Sequence, residues 1–351
     1  MVKTSFVMAI SIAGLTLANS VLAQATRDQI EVVGAYTGVP LATAVAERFT
    51  KATSLKAPKI QPNTTGGGFK SICASAGVEA PDITTATRRI RPAELEACEK
   101  NGVKELIEMK IGHDALVVAR AAPTPMAGLS RKELFLAMAK DVPDPKGAPK
   151  MVPNPYKTWK EINPALPDAK IQLTGPGSSI GSYDALINSI MVAGCKQFNW
   201  LGALETSDPP AFEAACKTFR KDGAYNEFSN YDTVTQEIKN NPDLLGIVGF
   251  SIARRAGLNN IALDGVEPTL LSVSRQEYAL TFPFYIYANK GHIGLIPGIK
   301  EYLMEFASEN ALSVAGYLFG EGVVPMPVVE RQKVRSDTLA LKPLTLEDIK
   351  K

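Results

Sequence analysis

The chain is poor in the side chains that many catalytic and nucleic-acid sites use. Its 351 residues include only 2 histidines and 2 tryptophans, and the aromatic share is 7%. Lysine and arginine number 38 against 36 acidic residues, so the formal net charge is +2. This balance argues against a dedicated nucleic-acid surface. The low aromatic content argues against a sugar site, because sugars usually pack on aromatic faces.

Long apolar runs are also scarce, and a short one at the N-terminus is typical of a cleaved signal peptide. Lys3 provides the positive start, residues 6–17 the apolar core, and residues 21–23 the small-residue cleavage site. We expect cleavage after Ala23, Gln24 as the first mature residue, and a periplasmic location. The run is short for a membrane span, and no cysteine follows Ala23 to carry a lipid.

Four cysteines occur, all in the exported part of the chain: Cys73, Cys98, Cys195 and Cys216. An even number in an oxidising compartment suggests two disulfides. Three pairings are possible, and we favour the local pairs Cys73–Cys98 and Cys195–Cys216. The chain has no CxxC motif and no histidine beside a cysteine, so zinc is disfavoured and buried free thiols are the better alternative. We predict no metal and no cofactor.

Length and composition indicate a soluble globular protein with two domains, since 351 residues are 45% hydrophobic and 21% charged. Strands and helices alternate along the chain, which predicts an α/β fold. We predict strands at 30–34, 60–63, 82–87, 105–109, 115–119, 170–173, 244–250 and 285–288. We predict helices at 41–50, 71–76, 93–101, 131–139 and, as a pair, 298–315, then a proline-interrupted tail at 323–330. The composition shift near residues 119–125 is a candidate domain boundary.

Three strand-to-helix turns are rich in hydroxyls or glycine, at residues 36–38, 65–68 and 178–182. A fourth strand end carries Thr87, Arg88 and Arg89. In open α/β sheets ligands bind beyond the carboxyl ends of the strands. Helix N-termini supply N–H donors, and hydroxyls and an arginine fork supply further donors. This set favours a site for an inorganic anion.

A serine hydrolase is the rival interpretation of the third turn. Residues 177–181 match the G-x-S-x-G pattern, with Ser179 as the nucleophile and Asp264 and His292 as its partners in the expected order. Against it, the predicted strand ends at Leu173, too early for a tight turn, and no HGGG-type segment is present.

Several segments together resemble the periplasmic phosphate-binding proteins of ABC transporters. GAYTGVPLATAVAERF resembles their first loop and helix, TTGGGFK their second loop, DITTATRRI their strand with a hydroxyl and an arginine, and GPGSSIGSYDAL their third loop. LLGIVGFSIAR and HIGLIPGIKEYLMEF resemble later segments of the same family. The resemblance runs from about residue 31 to residue 330.

The resemblance implies a type II periplasmic-binding fold, in which two α/β lobes are joined by two crossing strands. We place the crossings near residues 117–119 and 281–285. Lobe I would comprise residues 24–118 plus 283–351, and lobe II residues 119–282. The protein would be a non-catalytic monomer that captures inorganic phosphate between the lobes and delivers it to an inner-membrane ABC transporter permease. No nucleic acid is expected as a partner.

The ligand contacts that the resemblance implies are Tyr36, Thr37, Gly38, Thr65, Gly66, Thr87, Arg88, Ser179, Ile180, Gly181 and Ser182. Thr87 stands where well-known members have an aspartate that accepts the proton of phosphate and so excludes sulfate. Tyr183 stands near the place of an arginine in their third loop. Arg88 would then supply the positive charge. Another oxyanion (sulfate, molybdate or a phosphonate) is the alternative ligand, and a receptor that has drifted to another ligand or a surface role is a third hypothesis.

Overall fold

The computed structural model describes residues 27–121, 128–178, 180 and 182–350. Its strands are β1 (Glu31–Ala35), β2 (Lys59–Asn63), β3 (Ile83–Ala86), β4 (Leu106–Arg120), β5 (Asp141–Pro143), β6 (Met151–Pro153), β7 (Leu173–Pro176), β8 (Tyr225–Phe228), β9 (Leu245–Gly249), β10 (Asn259–Ile261) and β11 (Thr281–Asn289). The predicted signal peptide and its predicted cleavage site lie outside the described residues.

The helices cover both faces of the main sheet. They are α1 (Val39–Thr53), α2 (Thr65–Ile72), α3 (Pro92–Lys100), α4 (Arg131–Met138), α5 (Trp159–Ile162), α6 (Tyr183–Leu186), α7 (Ala193–Cys195), α8 (Asn199–Ser207), α9 (Pro209–Lys217), α10 (Tyr231–Asn240), α11 (Phe250–Ala256), α12 (Leu270–Ser274), α13 (Ile299–Phe306), α14 (Glu309–Leu312), α15 (Tyr317–Gly320), α16 (Val328–Leu339) and α17 (Leu346–Lys350). Tyr36–Gly38 and Lys290–His292 are 3₁₀ turns, and the π-helical segment Ile187–Val192 joins α6 to α7.

One mixed sheet organises the chain, in the order β2-β1-β3-β11-β4-β9-β7-β8, with β10 also paired to β4. We call β2, β1, β3 and β11 the first half, and β9, β7 and β8 the second half. Within each half the strands other than β11 run parallel, while β11 and β4 are antiparallel to their neighbours. The carboxyl ends of β1, β3 and β7 are therefore the places to look for a ligand.

Strand β4 is shared by the two halves. It pairs with β11 through Ala115 and with β9 from Leu116 onward. At about 3.3 Å per residue its 15 residues span about 50 Å. The sequence pattern predicted two separate strands here. The polar segment 110–114 that suggested a break is paired with β11 like its neighbours, so a single strand results.

The residues that form the buried core also divide into two groups near residue 115, where β4 changes its partner strand. One hydrophobic cluster draws on residues from 115 to 280, with Val324 added, and includes Phe135, Ile247 and Tyr278. The clusters beneath the first half draw on the remaining residues at both ends of the described chain, such as Val45, Ile286 and Leu303. The interior is thus divided between two parts of the sequence.

Helix α1 shows how local sequence produces these elements. Pro40 lies in its first turn, and Ser54 ends it in the left-handed conformation at φ 60°. Leu41, Val45 and Phe49 recur every four residues and are buried against the sheet. The helix extends beyond the predicted 41–50 at both ends.

Both favoured disulfides are present. Cys73 pairs with Cys98 and thereby ties the end of α2 to α3, and Cys195 pairs with Cys216 in α9. All four thiols are therefore used, which contradicts the free-thiol alternative. Across the described residues no cluster of histidine, cysteine and carboxylate side chains could hold a metal ion, and no helix is both long and apolar enough to span a membrane.

Three sequence predictions are wrong in ways that matter below. Strand β7 begins at Leu173 instead of ending there, because its pairing with β8 continues through Pro176. The proline-interrupted tail leads into α16 at Val328. The sequence pattern predicted no helix or strand between residues 192 and 243, but this segment contains α8, α9, β8 and α10.

Two adjacent residues of β4 carry ionisable groups near the change of partner strand, the buried His113 and the half-buried Asp114. Burial, aided by the charge of Lys110, lowers the pKa of His113 to about 3. Neither ring nitrogen makes a hydrogen bond of good geometry within the described residues, and the nearby Gln276 side chain opposes the fall but has the smallest effect of the three causes. Burial raises the pKa of Asp114 to about 7, although the backbone N–H groups of Ala115 and Ser251 and the charge of Arg255 oppose the rise.

Candidate functional site

The three predicted loops meet at one small cavity of about 90 Å³ between the two halves of the sheet. Its walls are formed by Ala35, Tyr36, Asn63, Thr64, Thr65, Thr87, Ser178, Ile180, Tyr183 and Asp184. Pockets for drug-sized ligands measure roughly 300–1,000 Å³. This cavity therefore suits a single small ion better than a sugar or a peptide.

The first loop is the 3₁₀ turn that follows β1. Gly38 is needed there because a Cβ atom would lie 2.4 Å from Thr85 Oγ1 on β3. Tyr36 lies on the cavity wall and is 51% exposed. The Thr37 hydroxyl oxygen is buried and has no hydrogen-bond partner among the described residues, so it has a hydrogen bond still to make.

The second loop becomes the first turn of α2. Thr64 is the N-cap, and its hydroxyl accepts a hydrogen bond from Gly67 N at 3.0 Å. Asn63 Oδ1 in turn accepts one from Thr64 N at 2.8 Å. A helix leaves its first N–H groups without intrahelical acceptors, which makes the amides of Thr65 and Gly66 available donors at this end.

The successive glycines of this loop serve mainly packing. At Gly68 a Cβ would lie 2.3 Å from Thr84 Oγ1 and 3.2 Å from Gly34 Cα, so glycine lets α2 press against β1 and β3. At Gly67 it would collide with Asn63. Gly66 alone has open space, with its nearest neighbour, Arg88 Nη2, 3.9 Å from the Cβ position. Of the three glycines, only Gly66 therefore leaves room for a ligand to approach the backbone closely.

Thr65 and Thr87 form a coupled pair on the cavity wall. Their hydroxyl oxygens lie 3.1 Å apart, and Thr87 N donates to Thr65 Oγ1 at 3.1 Å. One hydroxyl hydrogen occupies the space between the two oxygens. The other hydroxyl hydrogen is free to point into the cavity, so the pair offers one O–H donor.

The third loop contributes differently from the expectation. The Ile180 amide donates to Gly177 O at 2.9 Å and is therefore not free to bind an anion. Ser182 is buried, and its hydroxyl lies 3.1 Å from Tyr231 Oη. Ser178 and Tyr183 lie on the wall instead. Ser179 and Gly181 are outside the described residues.

Arg88 lies beside the cavity, but its charge is already paired. Its guanidinium donates to both carboxylate oxygens of Glu94, at 2.7 and 2.8 Å, and stacks 5.4 Å from the centre of the Phe69 ring. The hydrogen bond to Glu94 raises the pKa of Arg88. Arg89 makes a similar fork with Glu108. The expectation that Arg88 supplies free positive charge is therefore not met in this conformation.

Four of the eleven expected contact residues line the cavity: Tyr36, Thr65, Thr87 and Ile180. Thr37, Gly38, Gly66, Arg88 and Ser182 adjoin it without forming its described wall. The sequence missed Ala35, Asn63, Thr64, Ser178, Tyr183 and Asp184 as lining residues. Each of these lies within two positions of an expected contact, so the cavity is formed by the expected loops but partly by other side chains of those loops.

The residues of the hydrolase alternative are engaged elsewhere. His292 Nδ1 lies 2.7 Å from Asp82 Oδ1, and its Nε2 lies 3.2 Å from Ala76 O. Asp264 accepts hydrogen bonds from Arg131, at 2.5 Å from Nε and 3.0 Å from the backbone N. Neither partner is available to form a Ser–Asp–His triad, although the longer β7 removes the argument based on strand length.

The described wall carries hydroxyls and amides that can donate hydrogen bonds, together with the carboxylate of Asp184, which accepts them. Among the described residues that line it there is no lysine, arginine, histidine or cysteine. Such a wall can hold a polar or anionic group in place, and it has no nucleophile with an adjacent base.

The comparison with known families agrees with this geometry. Residues 19–310 match the PBP superfamily domain. The chain belongs to the PBP superfamily. The resemblance noted in the sequence is therefore confirmed at the level of the family, since the match covers most of the chain.

Three relatives illustrate the similarity, one of which is named a phosphate-binding protein. The chain is 30% identical over 169 residues to Protein SphX of Synechococcus elongatus, a match that spans 48% of this chain and 46% of that protein. It is 25% identical to Protein SphX of Synechocystis over 86% of this chain and 80% of that one. It is 27% identical to the phosphate-binding protein PstS of Staphylococcus epidermidis, over 81% of this chain and 77% of that protein.

Solved structures of the superfamily share the fold. A possible phosphate-binding protein from Planctomyces limnophilus aligns with a TM-score of 0.65 at 22% identity, over 90% of this chain and 98% of that one. The fold is thus the mixed α/β fold of such binding proteins. PstS and this structure are named as binding proteins and not as enzymes, in agreement with a non-catalytic role.

Proposed function

We propose that the protein captures inorganic phosphate in the cavity between two lobes and delivers it to an ABC transporter permease of the inner membrane. The single observation that carries the proposal is the convergence of three loops, from both halves of the sheet, on a cavity sized for one small ion. The names of PstS and of the matched structure, both of which refer to phosphate binding, favour phosphate.

The two lobes follow the division of the core. Lobe I would hold residues 24–118 plus 283–351 and lobe II residues 119–282, joined by β4 and β11. Strand β4 changes its partner from β11 to β9 between Ala115 and Leu116. This supports a crossing one or two residues before the predicted segment 117–119. Closure of the two lobes on the ligand would be the working motion.

The binding set of this proposal combines both lobes. Lobe I would supply the Thr65–Thr87 hydroxyl pair, the Thr37 hydroxyl and the first amides of α2. Lobe II would supply the loop from Ser178 to Ser182, which precedes the unbroken helical run from Tyr183 to Cys195. In the cell, export with cleavage after Ala23 and action as a monomer in the periplasm complete the proposal.

Thermal unfolding of the mature protein tests it, with phosphate, sulfate, molybdate and a phosphonate each added at saturation. A ligand at a hundred times its dissociation constant stabilises the folded state by about 2.7 kcal/mol. We expect phosphate to raise the midpoint of unfolding by at least a degree or two. A rise with another oxyanion in place of phosphate would reassign the ligand. No rise with any of them would overturn the proposal and leave a drifted receptor.

A further inference from the structure

The segment between α14 and α16 reaches from one buried core to the other. We call residues 317–325 the latch; they contain α15 and the chain that follows it. Leu318 and Val323 belong to a core cluster of the first half, whereas the next residue, Val324, belongs to the cluster of the second half. Val324 also exchanges two backbone hydrogen bonds with His113 of β4, at 2.7 and 3.0 Å. The latch therefore contacts both halves of the molecule.

Two arginines of α11 hold the latch. Arg255 Nη1 donates a hydrogen bond to Gly320 O at 2.6 Å, and the guanidinium of Arg254 lies 3.9 Å from the centre of the Phe319 ring. Among the described residues neither arginine forms an ion pair or a further hydrogen bond. Helix α11 itself is anchored in the core of the second half through Ala253. These contacts thus join elements that belong to different cores.

Two further contacts bring the latch against the second half. Gly322 has a φ of 112°, and a Cβ atom there would lie 2.8 Å from Ser251 Oγ of α11. Glycine therefore permits both the backbone conformation and the close approach. The Ser274 hydroxyl of α12 donates a hydrogen bond to Pro325 O at 2.7 Å. The second half thus contacts the latch from Phe319 to Pro325.

The contacts of the latch coexist with the cavity between the two halves. In a hinge motion, the core of one half would turn relative to the core of the other. Because α11 and α15 belong to different cores, this motion would separate the two arginines from α15. Their contacts therefore contribute free energy to the conformation that encloses the cavity. A ligand that requires this conformation binds more tightly when the free protein populates it more.

We propose that the latch, held by Arg254 and Arg255, stabilises the conformation that encloses the cavity and thereby raises the affinity for phosphate. This inference rests on the proposed function, because it requires an anion that binds between the two halves. The latch residues do not line the cavity, and they follow the residues 19–310 that match the superfamily domain. The effect on affinity therefore arises from the conformation and not from contact with the ligand.

Two other arginines provide a matched control, because they make the same kinds of contact without joining the two cores. Arg48 of α1 lies 5.1 Å from the centre of the Tyr317 ring, and both residues belong to the first half. Arg331 Nη1 donates to Met326 O at 2.7 Å, within one turn of the same segment. Loss of these contacts would alter the stability of the fold and not the relation between the halves.

The test compares the mature protein with its Arg254→Gln/Arg255→Gln and Arg48→Gln/Arg331→Gln variants. Arg254 and Arg255 are exposed, so their replacement should leave the fold intact. Titration calorimetry measures the affinity for phosphate, and X-ray scattering measures the radius of gyration without phosphate and at saturation.

We expect the α11 variant to bind phosphate about threefold to tenfold more weakly, because two exposed contacts no longer favour the enclosing conformation. Its radius of gyration without phosphate should exceed that of the unmodified protein, and the two radii should agree at saturation. The control variant should match the unmodified protein in affinity and in both radii.

The outcomes separate this inference from the function on which it rests. If phosphate binds, and the α11 variant has the affinity and the ligand-free radius of the unmodified protein, the latch does not affect closure and the proposed function stands. Tighter binding by the α11 variant would show that the latch opposes closure, and would also overturn the inference. If phosphate binds to none of the three proteins, the proposed function fails, and the effect of the latch on affinity fails with it.

Discussion

At the scale of single residues, the Thr65–Thr87 pair limits the number of hydroxyl hydrogens that the first half of the sheet presents to the cavity. Thr65 Oγ1 accepts a hydrogen bond from the backbone N–H of Thr87, and a second hydrogen bond joins the hydroxyl groups of the two residues. Replacement of Thr65 by valine keeps the shape and removes both interactions. We expect phosphate affinity to fall by about twofold to tenfold, because the Thr87 hydroxyl that remains loses the hydrogen bonds that position it, and a neutral hydrogen bond contributes about 0.5–1.5 kcal/mol.

Thr50→Val is the matched control for this change, because the Thr50 hydroxyl bonds within α1 to Ala46 O at 2.8 Å. Titration calorimetry on both variants makes the comparison. Equal affinities for Thr65→Val and the unmodified protein would remove Thr65 from the binding set.

His113 and Asp114 predict a second effect at this scale, in the dependence of stability on pH. The pKa of His113 falls from its ordinary 6.5 to about 3, so its contribution to stability declines as pH falls below 6.5. The pKa of Asp114 rises from 3.8 to about 7, so its contribution grows as pH falls below 7. Between about pH 4 and 6.5 the two contributions oppose each other, each by up to about 1.4 kcal/mol per pH unit.

Single substitutions expose the opposing contributions. Relative to the unmodified protein, His113→Gln should gain free energy of unfolding as the pH is lowered from 7 to 4, and Asp114→Asn should lose it. Urea denaturation at several pH values measures both trends. A difference in the free energy of unfolding that is the same at every pH does not affect the test. Parallel curves for all three proteins would show that neither group titrates as described.

At the scale of elements, a buried charge network joins β1, β3 and the turn that follows β11. Arg27 donates to Asp82 at 2.7 and 2.9 Å, His292 lies 2.7 Å from it, and the amide of Glu31 donates at 2.8 Å. Burial alone would raise the pKa of Asp82, but these hydrogen bonds lower it below its ordinary value. The network therefore stabilises the fold above pH 3.8 and is lost as the pH falls through this lowered pKa.

Asp82→Asn should cost about 3–5 kcal/mol at neutral pH, because it leaves Arg27 and the fully buried His292 without their charged partner. Asp28→Asn is the control, since Asp28 pairs with Lys56 in full contact with solvent. Chemical denaturation should show a large loss for the first variant and little change for the second. Similar losses for both would mean that the network contributes no more than a surface pair.

The elements also show where prediction from sequence succeeds. Helix α1 and strands β1, β3 and β9 were found because periodicity, caps and apolar runs are local signals. The position of β7 was wrong because its partners β8 and β9 set its register, and they lie more than 50 residues away. The same limit applies within the site, because the sequence does not show that the Ser182 hydroxyl pairs with Tyr231 or that the Arg88 guanidinium pairs with Glu94.

At the scale of the whole molecule, closure predicts a change in size. If phosphate binds between the lobes, the radius of gyration of the mature protein in solution should decrease when phosphate is added. Thr65→Val should need a higher phosphate concentration for the same decrease. X-ray scattering across a titration measures both, and an unchanged radius at saturation would mean that binding occurs without closure.

The family and the two-part architecture could be predicted because several loose motifs occur in the same order as in the superfamily. The final wall of the cavity could not, because its side chains come from both halves of the sheet and their directions depend on distant partners. Asn63 and Asp184, for example, meet there from loops more than 100 residues apart.

The sharing of β4 by both halves has a consequence for recombination between relatives. Its 15 residues supply a strand to the first half and a strand to the second, while the chain returns to the first half through β11. A hybrid gene with one junction would either interrupt β4 or combine β4 from one parent with β11 from the other. An exchange of the second half of the sheet between two members of the superfamily therefore needs two junctions, one near residue 115 and one near residue 281. The whole third loop is exchanged with it.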